Sequence, residues 1–172
     1  MSKNDMVRRE IYPLLDDDYE ISTDVIFNKG WKTLPLIDTL NPMEAEWISN
    51  AVKTLFNIKQ LVAINIEYQK SPEFTVIINS RDSILNFVAL STGYVIITDN
   101  NNNFLYYKDQ ANRFGLLCGS QSYIEKAFPC SYDTARIMYF SYWEDDLIYT
   151  EQERLEFKKF WFKYNQNIKE QF

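Results

Sequence analysis

The chain has 172 residues, a length that fits one domain, and it is 46% hydrophobic and 16% aromatic, which fills a core and excludes wholesale disorder. It contains no His, so Ser-His-Asp triads, Cys-His pairs and His-ligated zinc are excluded. Its formal charge is −6, and its densest basic clusters are the pairs Arg8-Arg9 and Lys158-Lys159, which disfavours binding to a phosphate backbone.

Residues 1–30 carry seven acids, among them Asp16, Asp17 and Asp18, against four bases. Short apolar patches alternate there with acidic turns, and the segment reads as an irregular arm lying on the domain. Asn41-Pro42-Met43-Glu44 opens a helix, because Asn caps, Pro suits the first helical position and Glu44 completes a capping box. Ala45, Ile48, Val52, Leu55 and Phe56 then recur at helical spacing, so the helix runs to about Phe56. Residues 61–68 and 74–78 read as strands joined by the turn Lys70-Ser71-Pro72-Glu73.

Residues 80–90 fit either of two elements: a short helix capped by Ser80, or a strand over 87–90, with Gly93 ending both. Residues 94–98 and 104–107 form a second hairpin around an Asn-rich loop, and 114–118 is a further strand ending at Gly119. Ser120 or Ser122 caps a helix that carries Tyr123, Ile124, Ala127 and Phe128 and stops at Pro129. Thr150 and Glu153 form a second capping box. The helix after it is expected to reach about Lys169, with Phe157, Phe160, Trp161, Tyr164 and Ile168 as one apolar stripe and Leu155 and Phe162 off it. The order of elements predicts a single α+β domain over 1–172, an antiparallel or mixed sheet with helices packed against it and a long C-terminal amphipathic helix.

No metal or cofactor site is expected. The run Asp99-Asn100-Asn101-Asn102-Asn103 lacks the alternation, central Gly and position-twelve Glu of a calcium loop, and reads as a turn. Gly119-Ser120 after a strand lacks the Lys and Gly spacing of a phosphate loop, so it reads as a strand end and a helix cap. Cys118 and Cys130 stand at no zinc spacing and read as buried free thiols, with a structural disulfide between them as the alternative. The opening MSKNDMVRREIY has no apolar h-region, and the longest apolar run is four residues, so no signal peptide, no membrane span and a cytoplasmic location are expected.

Two segments carry the functional reading. Tyr139, Tyr142, Trp143 and Tyr149 either complete the core of a Tyr-rich domain or are amphipathic aromatics of the kind that anchor protein interfaces, and Glu144, Asp145 and Asp146 beside them would then steer a basic partner. Asp16, Asp17 and Asp18 offer a second acidic run. In size, acidity and composition the chain resembles bacterial toxin-immunity proteins, and its Asn-rich and Lys-rich vocabulary (15 Asn, 12 Lys, 6 Arg) fits an AT-rich bacterial genome. That resemblance implies a non-catalytic protein that occludes a basic protein partner. Asp16, Asp17 and Asp18 or Glu144, Asp145 and Asp146 would then stand in for substrate phosphate, and Tyr142 and Trp143 would serve as anchors. Two alternatives are an enzyme working through paired carboxylates, Tyr or Lys, and a structural subunit that dimerises through Leu155 and Phe162.

Overall fold

Six antiparallel strands form one sheet in the computed structural model, which describes residues 11–145 and 147–165. In chain order they are β1 (Lys32–Ile37), β2 (Gln60–Ile66), β3 (Glu73–Ile78), β4 (Tyr94–Thr98), β5 (Phe104–Lys108) and β6 (Phe114–Gly119). In space the order is β1-β6-β5-β4-β2-β3. The helices are α1 (Thr23–Asn28), α2 (Pro42–Phe56), α3 (Arg81–Leu90), α4 (Gln121–Ala127), α5 (Tyr132–Trp143) and α6 (Glu151–Tyr164). The class is α+β, and every strand pairing is antiparallel.

The register sorts the core into two faces, because directly paired residues share a face. Phe104 faces Gly119 and Tyr106 faces Leu117 on one side, while Leu105 faces Cys118 and Tyr107 faces Leu116 on the other. The first side is covered by α2 and α4: Phe56 stacks on Phe104 at 5.9 Å, and Tyr123 lies 5.0 Å from the same ring. Gly119 makes room for that packing, since a Cβ there would stand 2.6 Å from the Tyr123 ring. The second side is covered by α6, whose Phe160 stacks on Phe114 at 3.9 Å. Beside it lies the N-terminal arm, which buries Ile11, Leu14, Ile21 and Ile26.

Both expected capping boxes are present. Asn41 Oδ1 accepts from the Glu44 amide at 2.9 Å and Glu44 returns the bond to Asn41 N–H at 3.0 Å. Thr150 and Glu153 do the same at the start of α6. Asn57 then ends α2 in the left-handed conformation, with φ 52°, which Asn tolerates. Residues 81–90 are a helix rather than a strand, capped by Ser80 Oγ at the Ser83 amide. The stripe Phe157, Phe160, Trp161 and Tyr164 is buried, whereas Ile168 and Lys169 lie outside the described residues.

Four elements go beyond the sequence reading: a 3-10 turn at Tyr12–Leu14 and α1 within the arm, β1 and α5. Pro35 in the middle of 32–37 argues against a strand, since it donates no hydrogen bond. It is accommodated because β1 is an edge strand that pairs with β6 alone. No helix among the described residues is long and apolar enough to cross a membrane.

Candidate functional site

Of the three consecutive acids Asp16, Asp17 and Asp18 in the arm, Asp16 is consumed by the fold. Its Oδ1 accepts from the amides of Asp18 and Glu20, each at 3.0 Å, closing a turn that Tyr19 completes with φ 60°. Its Oδ2 pairs with Lys163 of α6 at 2.9 Å, and Glu20 takes the same ammonium at 2.5 Å. Burial alone would raise the Asp16 carboxyl, but Lys163 and the two amides outweigh it and hold it below its ordinary value. Asp16 is thus a clip between the arm and α6, engaged within the fold although about a third of its side chain is exposed. Asp17 and Asp18 are exposed, and among the described residues neither carboxylate pairs with a cation.

The second acidic run follows α5. Ser131 caps that helix, and Ala135, Tyr139 and Trp143 form its buried row against α6. Tyr139 donates its hydroxyl to the Phe157 carbonyl at 3.0 Å. Trp143 lies flat on Phe157 with ring centroids 3.3 Å apart and is only 5% exposed. The expected anchor Trp143 is therefore a core residue: the helical period that brings Tyr139 inward brings Trp143 inward too, four positions on.

Tyr142 is the surface member of that pair, 38% exposed, with its hydroxyl 3.4 Å from Asp38 Oδ2. Hydrogen bonding with Tyr149, partial burial and the Asp38 carboxylate raise its phenol well above the ordinary value. Glu144 and Asp145 are exposed, and Asp145 Oδ1 accepts from Leu147 N–H at 2.9 Å, which shapes the turn. Asp146 lies outside the described residues. That turn projects Leu147, 97% exposed, and Ile148, 67% exposed. Neither residue stands out in the sequence, because one Leu and one Ile after three acids carry no periodic signal.

No hydrogen bond or ion pair among the described residues joins the two acidic runs directly. The β5–β6 hairpin lies between them. Asp38 donates its amide to the Arg113 carbonyl at 3.0 Å while its carboxylate receives Tyr142. Arg113 in turn bonds Glu156 at 2.7 Å and Asp109 at 3.3 Å. Asp109 is buried, its Oδ1 taking the Arg113 and Phe114 amides at 2.6 and 3.1 Å. Beside this hairpin opens a cavity of about 370 Å³ whose wall includes Asp18, Glu20, Tyr94, Tyr107, Asp109 and Arg113. A second cavity, of about 310 Å³, lies against β1 between Trp31, Leu34, Phe128, Tyr132 and Tyr164.

The remaining readings resolve locally. Asp99 accepts from the Asn103 amide and side chain at 2.7 and 2.6 Å, with Asn102 at φ 51°, so the Asn-rich run is a turn that satisfies its own carboxylate. Ser120 Oγ caps α4 at the Tyr123 amide. Both thiols are free, Cys118 buried and Cys130 exposed, and burial pushes the Cys118 thiol well up. Among the described residues no group of three or more acids or thiols is placed to hold a metal ion. No protein-family model matches the chain, and neither a curated protein nor a solved structure is significantly similar to it. Function is therefore read from the geometry.

Proposed function

We propose that this is a non-catalytic acidic binding protein that inhibits a basic protein partner in a bacterial cytoplasm, in the manner of toxin-immunity proteins. The observation that supports the reading is the corner between α5 and α6. Leu147 and Ile148 are held out in solvent there, close in the chain to exposed Glu144 and Asp145 and to half-exposed Tyr142. Burying one such aliphatic side chain against a partner contributes about 1.5–3 kcal/mol. Acids on its rim raise the association rate for a basic surface and select against acidic ones. Exposed apolar side chains with acids beside them offer an interface both contact and rim, and solubility gains nothing from the apolar ones.

The test is affinity capture from lysate of the source organism with the protein and with a Leu147→Asp/Ile148→Asp variant. A stoichiometric basic protein held by the native corner, lost from the variant and inhibited in its own activity by the native protein would support the reading. A partner retained equally by both, or one whose activity is unaffected, would overturn it. A second reading, a homodimeric subunit, is favoured by Leu155 and Phe162, which are exposed on α6. Sedimentation equilibrium separates the two: the homodimer requires a mass that rises with concentration and falls back in Phe162→Glu.

A further inference from the structure

The two edges of the sheet are protected unequally. At one edge, β1 carries Pro35 in its middle, buries Leu34, Pro35 and Leu36, and lies against α4, α5 and α6. At the other edge, β3 pairs with β2 alone among the described residues, and none of its side chains is fully buried. Val76 is 50% exposed and Ile78 65%. The register fixes where the free backbone groups of β3 point. Asn79 donates its amide to the Lys59 carbonyl at 2.9 Å, and bonded partners alternate along an antiparallel pair. Ile77, Thr75 and Glu73 therefore bond to Leu61, Ala63 and Asn65 of β2, while the N–H and C=O groups of Phe74, Val76 and Ile78 point off the sheet. Of these, the Ile78 carbonyl accepts from the Ser80 amide at 2.9 Å. Outward backbone groups beside exposed apolar side chains are a template for another strand, and sheet edges are commonly interrupted by a Pro, an inward charge or a bulge to prevent pairing. β3 has none of these: its register with β2 runs residue for residue, and its one charge, Glu73, is its first residue.

We propose that β3 pairs antiparallel with β3 of a second copy of this chain, about a two-fold axis at Val76, so that the two sheets become one. Paired residues share a face in a sheet continued this way, and the register centred on Val76 is the one that matches every outward residue of the strand to another outward residue. Val76 bonds to Val76 of the second copy, and Phe74 bonds to Ile78 of the second copy. The apolar row Phe74, Val76 and Ile78 extends the row that Ile64 and Val62 form on β2, and aromatic and β-branched pairs of this kind stabilise a sheet. On the opposite face Thr75 meets Ile77. Charge agrees with the register. Glu73 falls opposite the uncharged Asn79, with Arg81 of the second copy two positions beyond, so an acid approaches a base and no like charges meet within the strands. The interface uses no residue of the α5–α6 corner and neither Leu155 nor Phe162, and it does not depend on the protein-partner reading.

The test is sedimentation equilibrium of the isolated protein from micromolar to millimolar concentration, with amide hydrogen exchange read on the same samples. The mass is expected to rise from one chain toward two, and the Val76 and Ile78 amides to exchange about tenfold more slowly at the high end than at the low end. Val76→Lys and Val76→Glu each set two like charges at the axis, and each alone is expected to associate about tenfold more weakly than the native chain. Their equimolar mixture is expected to dimerise again, because the axis then sets a base against an acid. The Val76 side chain is half exposed, so both variants keep the fold, and recovery in the mixture is itself proof that they do. Phe162→Glu is expected to dimerise as the native chain does. A monomer at every concentration, a dimer indifferent to Val76→Lys or lost in Phe162→Glu, or a mixture no tighter than its parts would each overturn the proposal. Edge amides already protected in the monomer would show that another part of the chain covers β3, and would overturn it too.

Discussion

Replacing Trp143 separates a core role from an interface role at the position where the two readings conflict. The indole lies on Phe157 at 3.3 Å and is edge-on to Tyr149 at 4.7 Å, with 5% of its surface exposed. Truncating a buried aromatic to Ala removes its transfer energy and leaves a cavity, together about 3–5 kcal/mol. For a chain of this length each kcal/mol lowers the melting temperature by about 2–4 °C, so Trp143→Ala is expected to melt some 6–20 °C below the native protein. Trp143→Phe behaves differently. The indole N–H is buried without a hydrogen-bond partner among the described residues. The smaller ring loses about 1–2 kcal/mol of packing and removes a buried donor worth about 1–3 kcal/mol, so the net change lies between a loss of about 1 kcal/mol and a gain of about 2 kcal/mol. Urea unfolding followed by far-UV circular dichroism reads both values, with an unchanged m-value as the check on two-state behaviour. A loss below about 1 kcal/mol in Trp143→Ala would refute the core assignment, and equal losses in the two variants would refute the part given to the unpaired N–H.

Three further outcomes follow from named contacts. Lys163→Met removes both ion pairs of the arm and is expected to cost about 0.5–2 kcal/mol, read as faster amide hydrogen exchange over residues 11–22 with little change in β4–β6; unchanged protection of the arm would refute the clip. Its pH window is set from both sides. Asp16 is held low, so its contribution is complete above its unfolded value of 3.8 and lost as pH falls through the folded one. Lys163 is resisted by burial but raised on balance by its two acids, so its contribution is complete below 10.5 and lost as pH rises through the folded value. Glu44 is raised by burial, with the Asn41 amide opposing and Asp38 adding to the rise, so its stabilising contribution is complete below 4.5 and lost as pH rises through the folded value. Glu44→Gln keeps the capping acceptor and is expected to gain on the native protein at pH 7 but not at pH 4, compared by melting temperature; a loss at pH 7 would contradict this. Ellman's reagent is expected to titrate one thiol, Cys130, in the native protein and both in urea, and rapid reaction of two native thiols would place Cys118 at the surface.

What was legible in the sequence was what is decided locally. The boxes Asn41/Glu44 and Thr150/Glu153 are closed by residues three apart, so they mark the starts of α2 and α6 without tertiary information. The β-branched and aromatic runs of β2, β4 and β5 are buried on both faces, and nothing competes with their strand preference. β1 was hidden because Pro35 is tolerated only at an edge, and edge position is a property of the finished sheet. α5 was hidden because Ile137, Met138 and Tyr142 are exposed around the buried row Ala135, Tyr139, Trp143, which blurs its period. Asp16 could not be told from Asp17 and Asp18 by composition, since the lysine that claims it lies 147 positions away. The cavity beside the β5–β6 hairpin was invisible for the same reason: its wall is drawn from the arm, β4, β5 and the hairpin turn.

The formal charge of −6 is a poor guide to where a basic group would bind, because much of the acid is already spent. Asp16, Asp99 and Asp109 close turns, Glu44 and Glu153 close helix caps, and Glu20 and Glu156 hold cations. An acid so engaged exchanges one partner for another when a cation arrives, and the net gain is small. An acid with no such duty offers its full interaction. Asp18 on the cavity wall and Glu144 beside Tyr142 are acids of that second kind: neither carboxylate accepts a hydrogen bond among the described residues. A charge-neutralising series should therefore divide by engagement and not by exposure alone. Glu156→Gln lowers stability and Glu144→Gln lowers the association rate with a basic partner, though both carboxylates stand in contact with solvent.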